Sequence, residues 1–95
     1  MALNIKVLGP GCINCERVFQ VVVDTLEELE TEWGNDSPEV AVQHVTDRGE
    51  FLKYGLMFTP GLVINEQLMC GGRIPLGAEV RDWVTSALAQ SELEG

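Results

Sequence analysis

The motif Cys12-Ile-Asn-Cys15 constrains this chain more than any other feature, because it lies where an apolar strand turns into an amphipathic helix. The apolar run ends in Gly9-Pro10-Gly11, and helical periodicity begins at Ile13. Such a junction places Cys12 at a helix N-terminus, where backbone N–H groups and the helix dipole favour a thiolate. Two sulfurs one turn apart can close a disulfide. The motif therefore predicts dithiol–disulfide exchange, in which Cys12 attacks and Cys15 resolves the mixed disulfide.

The same cysteine spacing also occurs in metal sites. It supplies half of many zinc or iron–sulfur sites and is found in some copper carriers. The alternative interpretation is therefore a soft-metal binding or adaptor module, with Cys12 and Cys15 as a two-thiolate site for Cu(I) or Zn(II). A closed tetrahedral zinc site would also need Cys70 and His44 to converge on the pair, which the predicted sheet does not favour. In exchange chemistry the Cys12–Cys15 disulfide is itself the redox centre, and we expect no cofactor.

Composition limits the chain to a small acidic protein. Its 95 residues are 45% hydrophobic, enough for one core, and we expect a single domain over residues 1–95. A formal net charge of -9 disfavours nucleic-acid and anionic-membrane partners. The sequence shows no run of ~20 apolar residues and no signal-peptide pattern. We expect a cytoplasmic monomer, and in that compartment a close cysteine pair is more often catalytic or metal-binding than structural.

Hydrophobic periodicity predicts the element order βαβαββα. Alternating apolar residues indicate strands, and apolar residues at helical spacing indicate the two long helices. The first two strands should be parallel, because a long helix connects them. The predicted elements are a strand over 3–9, a helix over 13–33, a strand over 40–45, a short helix around 51–54, strands over 62–64 and 67–70, and a last helix from about Pro75. We expect this last helix to carry Leu76 on its apolar face and residues 91–95 to form a frayed tail.

Local signals place the ends of several elements and part of the core. Asp47 and Glu50 have the spacing of a capping box, and Asn65-Glu66 between two apolar runs predicts a hairpin turn. We expect His44 to be a strand-face residue and Cys70 to be a small buried apolar residue. The aromatic and methionine side chains expected to fill the core are Phe19, Met57, Phe58 and Trp83.

The element order, with Cys-x-x-Cys at the first strand-to-helix turn and Pro60 before the third strand, resembles the thioredoxin-like superfamily in its glutaredoxin-sized form. The resemblance covers essentially the whole chain. The stretch from Ile5 to Cys15 is most similar to the small redox-active disulfide proteins of that superfamily. This resemblance implies an α/β fold with a four-stranded mixed sheet in the order 2-1-3-4, flanked by three helices. It also implies a thiol–disulfide oxidoreductase whose partners are a protein disulfide substrate and an upstream reductase.

Thr59-Pro60 stands where members of this superfamily carry a cis-proline beside the disulfide. The resemblance therefore implies a cis bond there, with Pro60 lying against the two cysteines. Such a proline would leave the Thr59 backbone available to an extended substrate segment, so Thr59 and Pro60 are the predicted substrate-binding residues.

Two basic residues are predicted to modulate the thiol pKa. Lys6 stands six residues before the first cysteine, where thioredoxins bury an aspartate, and a cation behind the dithiol would favour the thiolate. Arg17 follows the second cysteine and would act in the same direction, against the opposing charge of Glu16. Glutaredoxins carry an aromatic residue between their cysteines and basic groups for glutathione, neither of which is evident here. We therefore expect a protein rather than glutathione as the substrate.

Overall fold

Apolar residues that alternate with polar ones form strands, and apolar residues at helical spacing form helices. The part of the chain that the computed structural model describes, residues 2–11, 13–34 and 38–94, contains four strands and three helices. Their order is βαβαββα, as predicted from periodicity. The elements are β1 Ala2–Leu8, α1 Ile13–Trp33, β2 Glu39–Val45, α2 Arg48–Lys53, β3 Gly61–Ile64, β4 Gln67–Gly71 and α3 Gly77–Glu94.

The four strands form one mixed sheet in the order β2-β1-β3-β4. β1 pairs in parallel with β2 and antiparallel with β3, and β3 pairs antiparallel with β4. The hairpin turn between β3 and β4 consists of Asn65 and Glu66, whose φ angles are 49° and 68°. Two successive left-handed residues match the twist of the flanking strands. The arrangement confirms the predicted thioredoxin-like fold class, strand order and hairpin.

Alternation along β1 divides the core between the two faces of the sheet. Leu3, Ile5 and Val7 face α1 and α3, and Leu8 faces the α2 side. The larger cluster contains Leu3, Ile5, Val7, Val18, Val22, Leu26, Leu29, Leu62, Ile64, Val80 and Val84. The smaller cluster contains Leu8, Phe51, Leu56 and Val63. Each helix thus buries one face, and none in the described part of the chain is long and apolar enough to cross a membrane.

Packing overrides local preference in α1. The run Val21-Val22-Val23 has weak helix propensity because β-branched side chains lose rotamer freedom in a helix. Val22 is nevertheless fully buried in the core, and Thr25 donates a hydrogen bond of 2.7 Å from its hydroxyl to the Val21 carbonyl. The helix is therefore stabilised by the face that it buries against the sheet rather than by its local sequence.

The ends of the other helices follow local chemistry. Asp47 is the N-cap of α2, and its carboxylate accepts a hydrogen bond of 2.8 Å from the Gly49 N–H. α3 begins at Gly77, so Leu76, expected on its apolar face, precedes the helix and is 69% exposed. The Leu76 N–H donates to the Glu79 carboxylate, which is bonded to Arg73 as well. The α3 backbone is helical to Glu94, and fraying of this end stays a prediction.

Candidate active site

The turn between β1 and α1 is held by the end of β2. Gly9 donates a hydrogen bond of 3.0 Å from its N–H to the Val45 carbonyl, so the chain leaves β1 beside the last residue of the neighbouring strand. Gly11 has a φ of 94°, a conformation that side chains other than glycine rarely adopt. The glycines thus allow the chain to turn sharply into the helix that carries the second cysteine.

Cys15 lies in the first turn of α1 and is 1% exposed. Its Sγ atom packs directly over Gly9, because a Cβ atom at position 9 would overlap Cys15 Sγ. The missing side chain at Gly9 therefore makes the space in which the sulfur lies. Cys12 lies outside the described residues, so the disulfide, the exposure of Cys12 and its role as the nucleophile stay predictions. The burial of Cys15 agrees with the shielded position expected of a resolving thiol.

Pro60 also lies near Gly9. Its Cα atom is 3.9 Å from the position that a Cβ on Gly9 would take, and the residue is buried. The Thr59-Pro60 peptide bond is cis, which confirms that prediction. The Pro60 carbonyl accepts a hydrogen bond of 2.9 Å from Gly72 N–H. Cys15 Sγ and Pro60 Cα thus both lie within 4 Å of the position that a Cβ on Gly9 would take.

Thr59 is exposed at the outer end of this arrangement. Within the described part of the chain, neither its N–H nor its carbonyl makes a hydrogen bond. Backbone N–H and carbonyl groups without a hydrogen-bond partner can pair with an extended segment of another chain, the mode of recognition called strand addition. The predicted substrate contact at Thr59 is therefore geometrically open, and its use stays a prediction.

Met57 and Phe58, expected in the core, are 85% and 71% exposed. They lie in the loop between α2 and β3, where Leu56 fills the core instead: a Cβ at Gly61 or Gly71 would come within 2.6 Å or 2.5 Å of its Cδ1 atom. With Leu56 turned inwards, the next two side chains point to solvent beside Thr59. Ile13, in the cysteine motif, is also exposed, so apolar side chains lie on both segments that form the site.

A cleft of about 310 Å³ extends from Thr59 towards α2. Among its described lining residues Arg48 is the charged one, and Phe51, Leu52 and Leu56 are apolar. The lining residues are Pro10, Thr46, Arg48, Phe51, Leu52, Leu56 and Thr59. A side chain of a bound polypeptide next to the segment paired with Thr59 could occupy this space.

Lys6 is directed to partners on the α2 side of the sheet. Its Nζ atom donates to the Tyr54 hydroxyl at 2.7 Å and lies 3.4 Å from a Glu66 carboxylate oxygen. The Tyr54 hydroxyl in turn donates to Glu66 at 2.6 Å. The hydrogen bond with Tyr54 is the main cause that raises the pKa of Lys6 and lowers the pKa of Glu66. Lys6 thus joins α2 to the β3–β4 turn, and its effect on the dithiol, like that of exposed Arg17, stays a prediction.

His44 was predicted from the sequence only to lie on a strand face, and the structure places it near the cysteine motif. On β2 it is in register with Val7, two residues before Gly9. Its Cε1 atom is 3.9 Å from the position of a Cβ on Gly11, which puts the imidazole against the loop that precedes the cysteines. A second cleft, of about 400 Å³, is lined by Cys15, Glu16, Phe19, Gln20 and His44. The signal that could have found His44 is the parallel register of β1 and β2.

Cys70 lies on the edge strand β4, in register with Leu62 and half-buried. Burial raises the pKa of its thiol, an effect that the nearby Arg73 charge partly offsets.

In residues 2–11, 13–34 and 38–94 no three His, Cys, Asp or Glu side chains are grouped so as to hold a metal ion. Cys12 is outside that set, so the two-thiolate alternative stays untested.

Comparison with known proteins gives a family match and an individual relative. Residues 3–85 match the Thioredoxin domain family. A protein named Thioredoxin from Methanocaldococcus jannaschii is 29% identical over 84 residues, which cover 88% of this chain and 88% of that protein.

Proposed function

The chain belongs to the Thioredoxin domain family, a family of thiol–disulfide oxidoreductases, and on that premise we propose that it exchanges disulfides with a protein partner through Cys12 and Cys15. The observation that carries this proposal is the packing of buried Cys15 over Gly9, with Pro60 against the same glycine. A shielded thiol three residues after an attacking cysteine in the sequence is the arrangement that a two-step exchange needs.

The exchange takes place in two displacements at sulfur. The Cys12 thiolate attacks one sulfur of the substrate disulfide, which forms a mixed disulfide and releases the other substrate sulfur as a thiolate that takes up a proton. Cys15 then loses its proton and attacks Cys12 Sγ, which closes the Cys12–Cys15 bond and releases the second substrate thiol. Two electrons pass from the protein dithiol to the substrate. An upstream reductase returns the oxidised protein to the dithiol, and the reverse sequence oxidises a substrate.

The surface beside the cysteines fits a polypeptide. Thr59 presents an unpaired backbone edge within the described part of the chain, and Ile13, Met57 and Phe58 are exposed apolar side chains on the two flanking segments. Backbone pairing would hold an extended segment around the target cysteine, and apolar contacts would add affinity without a demand for one sequence. The net charge of -9 favours partners that are neutral or basic around that cysteine.

The test is a trapping experiment with a Cys15→Ser variant in a Cys70→Ala background. Cys12 can still attack in this variant, but nothing resolves the mixed disulfide, so we expect a covalent complex with a disulfide-containing peptide that dithiothreitol releases. The matched control is Cys12→Ser in the same background, which should form no stable complex. A Cys15→Ser protein that captures no peptide, while the wild type binds one Cu(I) or Zn(II) per chain, would reject the exchange function in favour of the metal-binding alternative.

A further inference from the structure

Cys15 forms part of the wall of a cleft, although it is almost inaccessible to solvent. The residue is 1% exposed, and the cleft beside it has a volume of about 400 Å³. The other lining residues are Glu16, Phe19 and Gln20 from α1 and His44 from β2. A cleft of this size holds water, so a proton on the Cys15 thiol has a route out of the protein.

The chemistry of the second displacement needs that route. A thiol must become a thiolate before it attacks a disulfide, and burial in apolar surroundings opposes ionisation of a thiol. A nearby group that takes up the proton removes this obstacle. Among the residues that the structure describes, two titratable side chains line the cleft with Cys15, the carboxylate of Glu16 and the imidazole of His44.

His44 is the better placed of these two groups. Glu16 is the next residue after Cys15 on the same helix, and adjacent helical residues do not face each other. His44 lines the same cleft from a different element, β2, and its Cε1 atom is 3.9 Å from the position of a Cβ on Gly11. It is itself exposed, so it can pass a proton on to solvent. Histidine is the side chain that most often serves as a general acid or base, which suits it to this task.

We propose that His44 is the proton acceptor for Cys15 in the second displacement, directly or through one water in the cleft. This inference rests on the exchange function proposed above. In the mixed-disulfide state His44 takes the proton of the Cys15 thiol, and the Cys15 thiolate attacks Cys12 Sγ. The Cys15–Cys12 bond forms as the bond from Cys12 to the substrate sulfur breaks. The substrate leaves as a thiolate and accepts a proton from the imidazolium or from solvent, so protons and electrons balance.

The two displacements can be timed separately with 5,5′-dithiobis(2-nitrobenzoate) at one equivalent per reduced protein, in a Cys70→Ala background. Attack by Cys12 releases a first coloured thiolate, and resolution by Cys15 releases a second. We expect His44→Gln to slow the second release about 10²-fold at neutral pH and to leave the first unchanged, which is the size of effect typical of general acid–base catalysis. The difference should shrink as pH rises, because hydroxide then deprotonates Cys15 without His44.

Two control variants separate this role from a structural one. Gln43→Ala changes an exposed neighbour on β2 and should resolve at the wild-type rate. Glu16→Gln removes the carboxylate that also lines the cleft, and because that charge opposes a thiolate, its loss should not slow the second release. The proposal is overturned if His44→Gln resolves as fast as wild type, if its defect is the same at every pH, or if Glu16→Gln carries the defect instead. A wild-type protein that releases only the first thiolate would refute the exchange function itself, a different result from any of these.

Discussion

The Sγ atom of Cys15 occupies the space that a side chain at Gly9 would need. The two residues belong to different elements, since Gly9 follows β1 and Cys15 lies in the first turn of α1. Pro60 Cα lies 3.9 Å from the position that a Cβ on Gly9 would take. Because three parts of the site share this small volume, the position of the buried sulfur depends on a residue with no side chain of its own.

Gly9→Ala is therefore expected to displace Cys15 or the turn. An added methyl group in a packed site costs about 1–3 kcal/mol of unfolding free energy. Because the new Cβ meets the sulfur itself, the rate of the second displacement should fall as well. Chemical denaturation and the two-phase thiol release described above measure the two effects. The matched control is Gly77→Ala, where a Cβ would lie 3.6 Å from Thr25 Oγ1 in ordinary contact and should not destabilise the protein.

Tyr54→Phe should remove the hydroxyl that links Lys6 to Glu66 and leave their direct contact at 3.4 Å in place. The Tyr54 hydroxyl accepts from Lys6 and donates to Glu66, and it is the main cause that holds the pKa of Glu66 below its ordinary value. We expect the pKa of Glu66 to rise in the variant, with a lower melting temperature at neutral pH. Because the pKa of Glu66 is lower in the folded protein than in the unfolded chain, ionised Glu66 stabilises the fold at a pH above its unfolded pKa. That stabilisation is lost as the pH falls, so the melting temperatures of the variant and the wild type should become equal in acid. Carboxylate NMR titration follows Glu66 directly, and an unchanged Glu66 pKa would contradict this assignment.

The Glu79 carboxylate should make stability depend on pH in acid. Its two oxygens accept hydrogen bonds from Arg73 at 2.8 Å and 2.7 Å, and the Leu76 N–H adds another. These bonds lower the pKa of Glu79 from 4.5 to about 2, Arg73 being the larger cause. The stabilisation is present above pH 4.5 and is lost as pH falls towards about 2. Glu79→Gln should flatten the loss of stability over that window, and an equally steep loss in the variant would exclude Glu79 as its source.

Phe58→Ser is expected to weaken the binding of a protein substrate and to leave the reaction with a small disulfide unchanged. Phe58 is 71% exposed beside the Thr59-Pro60 segment, so its loss removes apolar contact area but no buried packing. We expect a higher KM for a disulfide-containing protein and an unchanged rate with 5,5′-dithiobis(2-nitrobenzoate). Leu76→Ser changes an equally exposed apolar residue outside this loop and serves as the control. If both variants raise KM equally, the contribution is general surface hydrophobicity rather than a docking contact at Phe58.

Cys70→Ala should leave disulfide exchange unchanged. Cys70 is half-buried on the edge strand β4, and burial raises the pKa of its thiol, so little thiolate is present at neutral pH. Alkylation with iodoacetamide should therefore be slow at Cys70 in a Cys12→Ser, Cys15→Ser protein. Fast alkylation there, or loss of exchange in Cys70→Ala, would give this cysteine a redox role.

Local patterns in the sequence predicted the elements, a helix cap and a hairpin turn. The alternation of Leu3, Ile5 and Val7, the cap at Asp47 and the turn at Asn65-Glu66 each depend on residues close in the chain, and the structure has all of them. The resemblance supplied the strand order and the cis bond before Pro60, and both are confirmed. These features could be predicted because backbone preference and apolar periodicity act over a few residues.

Long-range packing decided the remaining features. His44 reaches the cysteine loop because β2 pairs with β1 in a register that puts it beside Val7, and the 21-residue helix α1 separates those strands in the chain. Met57 and Phe58 turn outwards because Leu56 fills the space beside Gly61 and Gly71. Apolar residues in a loop have no periodicity that tells inside from outside, and strand register is set by the whole core. The sequence by itself therefore determined the cysteine pair and the order of elements, and tertiary packing determined which side chains surround Cys15.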